Sequence, residues 1–427
     1  RESICDFKRG VMKTSLVFLF CVQLTFSLLA QDAAFNMEYY LSTAYYDQSL
    51  EKYHAQLDFL NNNSYNAPWL SRVELRIGSE DANTSLNDYR LRITPTTPSI
   101  IRANKVYHKK QLSSISTTYQ IGLNEALNNR YEILIEHYYY SSLLQILQKQ
   151  EAHYNELLKN IAVNNLQSMD WEDIVDIESD MSEMKIEAEE IKMELAELNF
   201  LVSLDLPAES SIYWDSIPII DIEEVRAYIA RENLLQSEQN LYVKEAEDKL
   251  MLEEQMLKIK KSESNKNIGY IQGNFDTDKG DDLEDHLGIQ VGVRLPIVNP
   301  DKPDLNRDKF DLLKEQQDIK ETTELVKQRS DVLQIKLQHL FNEQELIRER
   351  IERANKIFIT SSPNSKLDVW QLAKKQNYQS KLLIKELKVK REIYDLFISY
   401  LKINSYLVSK PLKNYLSPNF APILENN

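Results

Sequence analysis

Carboxylates at metal-ligand spacing occur in Asp276-Thr277-Asp278-Lys279-Gly280-Asp281-Asp282. A calcium loop begins this way, because the hard cation takes oxygens from alternate positions of a tight turn. Here Gly280 stands at the fifth position and Leu287 at the twelfth, where a bidentate glutamate is required. The run reads as a solvated turn between two strands, and no metal site is expected. Other chemistry is equally sparse. There is no glycine-rich phosphate loop, no nucleophile elbow and no His-Glu-x-x-His helix, and the 6 histidines are scattered without ligand spacing. Neither an enzyme nor a cofactor is expected.

What the sequence does pattern is charge along short alternating runs. In Trp69 to Gly78, Trp69, Val73, Leu75 and Ile77 share one side, opposite Arg72, Glu74 and Arg76. In Tyr89 to Thr94, Tyr89, Leu91 and Ile93 oppose Arg90, Arg92 and Thr94. In Leu287 to Leu295, Leu287, Ile289, Val291, Val293 and Leu295 oppose Gly288, Gln290, Gly292 and Arg294, and Pro296 ends the run. Strict alternation with period two marks strands with one apolar and one polar face. The first two runs make a hairpin across a polar turn. The third pairs with a less regular run at about 267–276.

The rest of the chain must position these strands. Only 8 Gly and 12 Pro in 427 residues, with 27% charged, describe long solvated helices. Net charge −15 argues against nucleic acid, whose phosphates require a basic footprint. Met12-Lys13 followed by the apolar run Leu16 to Leu29 reads as a secretory signal cleaved after Ala30, with the eleven residues before Met12 not translated natively. That run of 14 residues is shorter than the ~20 that span a bilayer. Cys5 and Cys21 both precede the cut, so the mature chain has no thiol chemistry, and its net charge becomes −17.

Two long helical patterns follow each hairpin: Ile100 to about Asn165 and Asp170 to Leu204, then Asn306 to about Phe358 and Leu367 to Leu407. Leu333, Leu337, Leu340, Ile347 and Ile351 follow the four-three spacing of a coiled-coil seam. "RITPTTP" ends the first hairpin and "RLPIVNP" the second, about 200 residues apart, while "FLVSLDLP" at 200–207 resembles "YLVSKP" at 406–411. The chain reads as a duplication: upstream residues and signal 1–30, a first repeat 31–207 (hairpin about 69–95, helices about 100–204) and a second repeat 208–427 (hairpin about 267–297, helices about 306–407, tail 408–427).

Four strands cannot close a barrel, for which about eight is the practical minimum, and an open sheet leaves unpaired backbone in lipid. Either the sheet packs on something in water, or several chains pool their strands. Pooling is the preferred reading. It turns Val73, Leu75, Ile77, Leu91, Ile289, Val291 and Val293 toward lipid, and Arg72, Arg76, Arg90, Arg92, Gln290 and Arg294 toward a wet lumen.

With signal, duplication, "VGVRLPI" at 291–297, Lys366-Leu-Asp368-Val-Trp-Gln371 and "EIYDLFISYLKINSYL" at 392–407, the chain resembles the TolC-type outer-membrane efflux family over essentially its mature length. The resemblance implies a mainly α fold with β. Antiparallel helices form a periplasmic tunnel, and four strands per chain join a shared trimeric 12-stranded outer-membrane barrel. It also implies a periplasmic adaptor protein and an inner-membrane pump as partners, and an exit duct for efflux or type I secretion. At the periplasmic turns, Asp173 and Asp368 stand in matching places. Their spacing suits helix capping, and the resemblance adds a cation-binding gate, with Gln371 where a second acidic residue is common. The alternative is a secreted periplasmic coiled-coil adaptor without a pore, which would be recovered as a soluble monomer.

Overall fold

A computed structural model of the chain describes residues 36–63, 68–79, 87–164, 171–206, 219–232, 240–264, 268–276, 287–293, 302–360 and 369–423. The expected signal with both cysteines, and the aspartate-rich turn after Asp276, lie outside these residues.

Two short helices come first. Asn36 caps α1 (Met37–Ser42) by accepting from the Glu38 amide, and Asp47 caps α2 (Gln48–Asn62) by accepting from the Ser49 amide. The hairpin β1 (Leu70–Ser79) and β2 (Asn87–Pro95) leads into α3 (Pro98–Asn164). Pro98 suits a first turn, where its missing N–H would have no helical partner. At 67 residues α3 is about 100 Å long, and α4 (Trp171–Asp205) returns along it. The order then recurs: α5 (Ile222–Glu232), α6 (Leu241–Ser264), the hairpin β3 (Ile268–Asp276) and β4 (Leu287–Val293), α7 (Lys302–Thr360) and α8 (Val369–Ile403). Among the described residues no helix is long and apolar enough to cross a membrane.

The last helix is shorter than the expected run to Leu407. It stops at Ile403 because Ser405 turns left-handed, with φ 61°. The Ser405 hydroxyl accepts from the Leu241 amide at 3.0 Å, and the Asn240 side chain donates to the Ile403 carbonyl at 2.6 Å. The C-terminus of α8 and the N-terminus of α6 therefore cap each other, satisfying groups that both helix ends leave open.

α3 packs against α2, α4, α6 and α8, while α7 bridges α6 and α8. The main core lies where these helices meet, around Tyr40, Leu127, Tyr131, Ile135, Leu337, Ile393 and Phe397. Leu337, Leu340 and Ile347 of the four-three seam are buried there, so the seam closes within the chain. A second cluster follows α3 and α4 downward through Leu143, Ile177, Met184 and Ile191, joined by Leu387 of α8. Gly122 lets α2 lie close to α3, since a Cβ there would stand 2.7 Å from Leu50 Cδ2. The segment after α8 folds back over the core. The Tyr131 hydroxyl donates to the Lys413 carbonyl at 3.0 Å and accepts from the Tyr415 amide at 3.1 Å, with Leu412, Tyr415, Leu416 and Ile423 buried.

Charge is used inside the bundle as a fastener. Arg130 of α3, only 3% exposed, donates to Asp47 at 2.9 Å and lies 3.5 Å from Asp205, tying the α1–α2 turn to α4. A less balanced group sits where α8 crosses α3. Arg391 pairs with Glu136 and lies 3.8 Å from Asp395, with Glu132 and Glu392 near. Burial raises the Asp395 carboxyl from 3.8 to about 6, and the neighbouring glutamates outdo part of the relief from Arg391. The folded chain thus holds this proton more tightly than the unfolded one. The resulting stabilisation is complete below 3.8 and lost as pH rises through about 6. Asp395→Asn should flatten that part of the pH profile and leave the protein no less stable at neutral pH, as read from thermal melts between acid and neutral buffers. A profile unchanged by the substitution would contradict the assignment.

Candidate functional site

The four strands form one antiparallel sheet in the order β1-β2-β3-β4, so the two hairpins join through β2 and β3. Its register aligns side chains in rows. Val73, Ile93, Ile271 and Val291 stand abreast; so do Leu75, Leu91, Gly273 and Ile289; so do Ile77, Tyr89, Phe275 and Leu287. Successive residues alternate between faces, so these rows make one apolar face. The residues Val73, Leu75, Ile77, Leu91, Ile289, Val291 and Val293 are all exposed on it, Ile289 to 85%. Among the described residues the strands pack chiefly on one another, and β1 and β4 each pair on one side only.

The opposite face is polar and largely self-satisfied. Glu74, Arg92, Gln272 and Gln290 form one row, and Arg76, Arg90, Asn274 and Gly288 the next. Glu74 accepts from Arg76 at 2.8 Å and pairs with Arg72, while Arg90 pairs with Asp88. These partners lie two residues away on the same strands, where the pleat puts them on one face. Arg92 is held differently. Its guanidinium lies 4.0 Å over the Tyr270 ring, and its Nε donates to Gln272 at 2.9 Å; Gln272 is buried and donates on to Asn274 at 2.6 Å.

Tyr270 can lie flat because Gly292 stands across from it, and a Cβ on Gly292 would enter the Tyr270 ring. A glycine roofed by a cross-strand aromatic pins register in a sheet. Sequence reading missed Tyr270, Gln272 and Gly292; the signal was the pairing of the glycine-rich run with an aromatic on the neighbouring strand. Arg294 lies outside the described residues, as does Asp368. Asp173 begins the second residue pair of α4 and Gln371 the first turn of α8, but their side chains are not among those described. Among the described residues no group of His, Cys, Asp or Glu could hold a metal ion.

Gly292→Ala should displace the Tyr270 ring and release Arg92, costing about 1 to 3 kcal/mol as overpacking does. Tyr270→Ala in the same chain should recover much of that loss, because the two residues share one space. Thermal melts of the two single variants and the double variant measure this. Additive losses would show that the ring and the glycine are independent.

No family model matches the chain, and no curated protein matches it in sequence. Solved structures do match in fold. The outer-membrane protein VceC from Vibrio cholerae superposes with a TM-score of 0.55 at 10% identity, over 84% of this chain and 95% of that one. The outer-membrane channel OprN gives 0.57 at 11% identity, over 86% and 89%. The Campylobacter jejuni CmeC outer membrane channel gives 0.53 at 11% identity, over 86% and 85%. A sheet of two joined hairpins above long antiparallel helices is thus a shared architecture, and this chain has the fold of the TolC-type outer-membrane channels.

Proposed function

We propose that three copies of this chain pool their sheets into one 12-stranded barrel in the outer membrane of a Gram-negative bacterium, with their helices forming a duct through the periplasm. The duct is a passive exit for solutes or proteins, supplied by an inner-membrane pump through a periplasmic adaptor in efflux or type I secretion. The observation that carries this reading is the sheet: a continuous exposed apolar face between two unpaired backbone edges. In water the face is uncovered. In lipid the edges are intolerable, because each unsatisfied N–H or C=O costs several kcal/mol. Closure with neighbouring sheets resolves both, and solved channels with this fold support it.

On this reading Val73, Leu75, Ile77, Leu91, Ile289, Val291 and Val293 touch lipid. Arg72, Arg76, Arg90, Arg92, Gln290 and Arg294 line the lumen, where Glu74 and Asp88 offset part of the positive charge. The repeats 31–207 and 208–427 each supply one hairpin and one helical pair. Asp173, Asp368 and Gln371 gather at the far turns of the helices. Three carboxylates brought together there repel one another unless a cation or proton intervenes, which makes a ring selective for cations.

The two faces of β4 separate this reading from a sheet packed in water. Val291→Arg places a charge in lipid at a cost of about 2 to 4 kcal/mol near the midplane. It should deplete heat-modifiable trimer from outer-membrane fractions, whereas Gln290→Arg should leave the trimer at its normal level. Equal tolerance of the two substitutions would contradict the assigned faces.

A further inference from the structure

The charge of the helices changes sign next to the sheet. The chain as a whole carries −15, yet the ends of α3, α6 and α7 that adjoin the strands are basic over about 12 Å, counted at 1.5 Å per residue. There α3 (98–106) carries Arg102 and Lys105 and no acid. α6 (257–264) carries Lys258, Lys260 and Lys261 against Glu263, and α7 (302–310) carries Lys302, Arg307 and Lys309 against Asp304 and Asp308. Two of these three acids are already paired, Asp308 with Lys260 at 2.8 Å and Asp304 with Arg307 at 3.3 Å. Of the eight cations, six remain exposed and make no ion pair among the described residues, against the single acid Glu263. One step farther from the sheet the excess is gone: 107–113, 250–256 and 311–317 hold Lys109, Lys110 and Lys314 against Glu253, Glu254, Asp311 and Glu315.

The six unpaired cations share the outer side of the bundle. The segments that cover the long helices lie on that side: Tyr131 of α3 bonds to Lys413 and Tyr415, and Glu345 of α7 lies 4.0 Å from Arg226 of α5. On the inner side such a layer would plug the duct. At about 100° per residue, Arg102 stands about 20° from Tyr131 and Lys105 about 80°, while Glu125 is about 160° from Lys105. On α7, Lys309 is about ten whole turns from Glu345 and Lys302 about 20° from it. On α6, Tyr242 reaches Glu125 across the inner side at 3.4 Å. Glu263 lies about 60° from Tyr242, whereas Lys261 and Lys258 lie about 100° and 160° away. The unpaired acid therefore faces inward and the unpaired cations outward.

Trp69 marks the foot of the sheet at this level. Its carbonyl accepts from the Thr96 amide at 2.8 Å, just before α3 begins, and the residue is 84% exposed. Exposed indole rings settle at the headgroup level of a membrane.

We infer that these helix ends form a basic collar that docks on anionic phospholipid headgroups of the periplasmic leaflet. The collar rests on the membrane-embedded sheet proposed above: the apolar rows set the hydrocarbon level, so the first turns of the helices stand in the headgroup layer and just beneath it. A phosphate-bearing surface attracts Lys and Arg within a Debye length of about 8 to 10 Å, and the basic ends extend over about that distance before the charge reverts. Cations spread over three helices fit many headgroups rather than one bound anion. The collar fixes the depth of the sheet, because the acidic bundle below it is repelled by the same surface.

With Trp171→Phe, Trp214→Phe and Trp370→Phe in the full chain, Trp69 is the one tryptophan left. The assembled protein is reconstituted into phosphatidylcholine vesicles carrying a minor fraction of either brominated phosphatidylglycerol or brominated phosphatidylcholine, and quenching of Trp69 is compared. Phosphatidylglycerol should quench about fivefold more effectively, as one basic side chain near an anionic surface provides, and high salt should abolish the difference. Arg102→Gln with Lys105→Gln should remove most of the preference, whereas Arg307→Gln, which deletes a cation already paired, should leave it. A preference that survives the double substitution, or that Arg307→Gln removes equally, overturns the collar. If both lipids quench Trp69 equally without these substitutions, the collar is wrong while the channel reading stands. If neither lipid quenches it, the sheet is not in the membrane and both fall.

Discussion

An apolar sheet face cannot stay in water, and a sheet edge cannot stay in lipid. Three cross-strand rows, from Val73 through Val291 to Ile77 through Leu287, put branched and aromatic side chains on the outer surface of β1 to β4. The same four strands end in two unpaired edges. Burial of the face contributes roughly 25 cal/mol per Å², but only in an environment that also satisfies the edge amides and carbonyls. Everything else in the molecule is consistent with presenting this sheet to identical neighbours. The polar face is internally paired, so it can face water without help. The helices extend away from the sheet in a bundle long enough to act as a wall.

The bundle is held together by a few non-repeating contacts at its middle. Arg130 links three segments through Asp47, Asp205 and Thr43, the segment after α8 returns across Tyr131, and Tyr394 donates to the Ile220 carbonyl ahead of α5. Below this level α3 packs on α4, as at Tyr154 and Asp180, and above it α6 takes that place, as at Thr117 and Asp248. The change of neighbours explains why α4 keeps Ile186, Met193 and Phe200 exposed. Among the described residues α4 packs chiefly on α3, with Asn377 and Leu387 of α8 touching it from the side.

Much of this was legible in the residues. Period-two alternation identified three of the four strands and both of their faces, because side chains in a sheet have no other way to sort. The long helices followed from the lack of glycine and proline, to within a few residues at most ends. Ser405 was not legible, since its left-handed turn depends on bonding to Leu241, far away in sequence. Nor was the seating of Tyr270 on Gly292 beneath Arg92, which exists only once β2, β3 and β4 are in register. The pairing of Arg72 and Arg76 with Glu74 is legible in their spacing of two, which the pleat turns to one face. Asp173, Asp368 and Gln371 drew on resemblance more than on pattern, and the described side chains do not include them.

Amide hydrogen exchange on the outward-pointing N–H groups of β1 and β4 addresses the central claim most directly, measured on protein extracted from membranes in its assembled state. If neighbouring copies complete the sheet, both edges are hydrogen-bonded, and these amides should exchange as slowly as those of β2 and β3. Fast exchange along either edge, with β2 and β3 protected, would mean that the sheet stays open and would contradict the account.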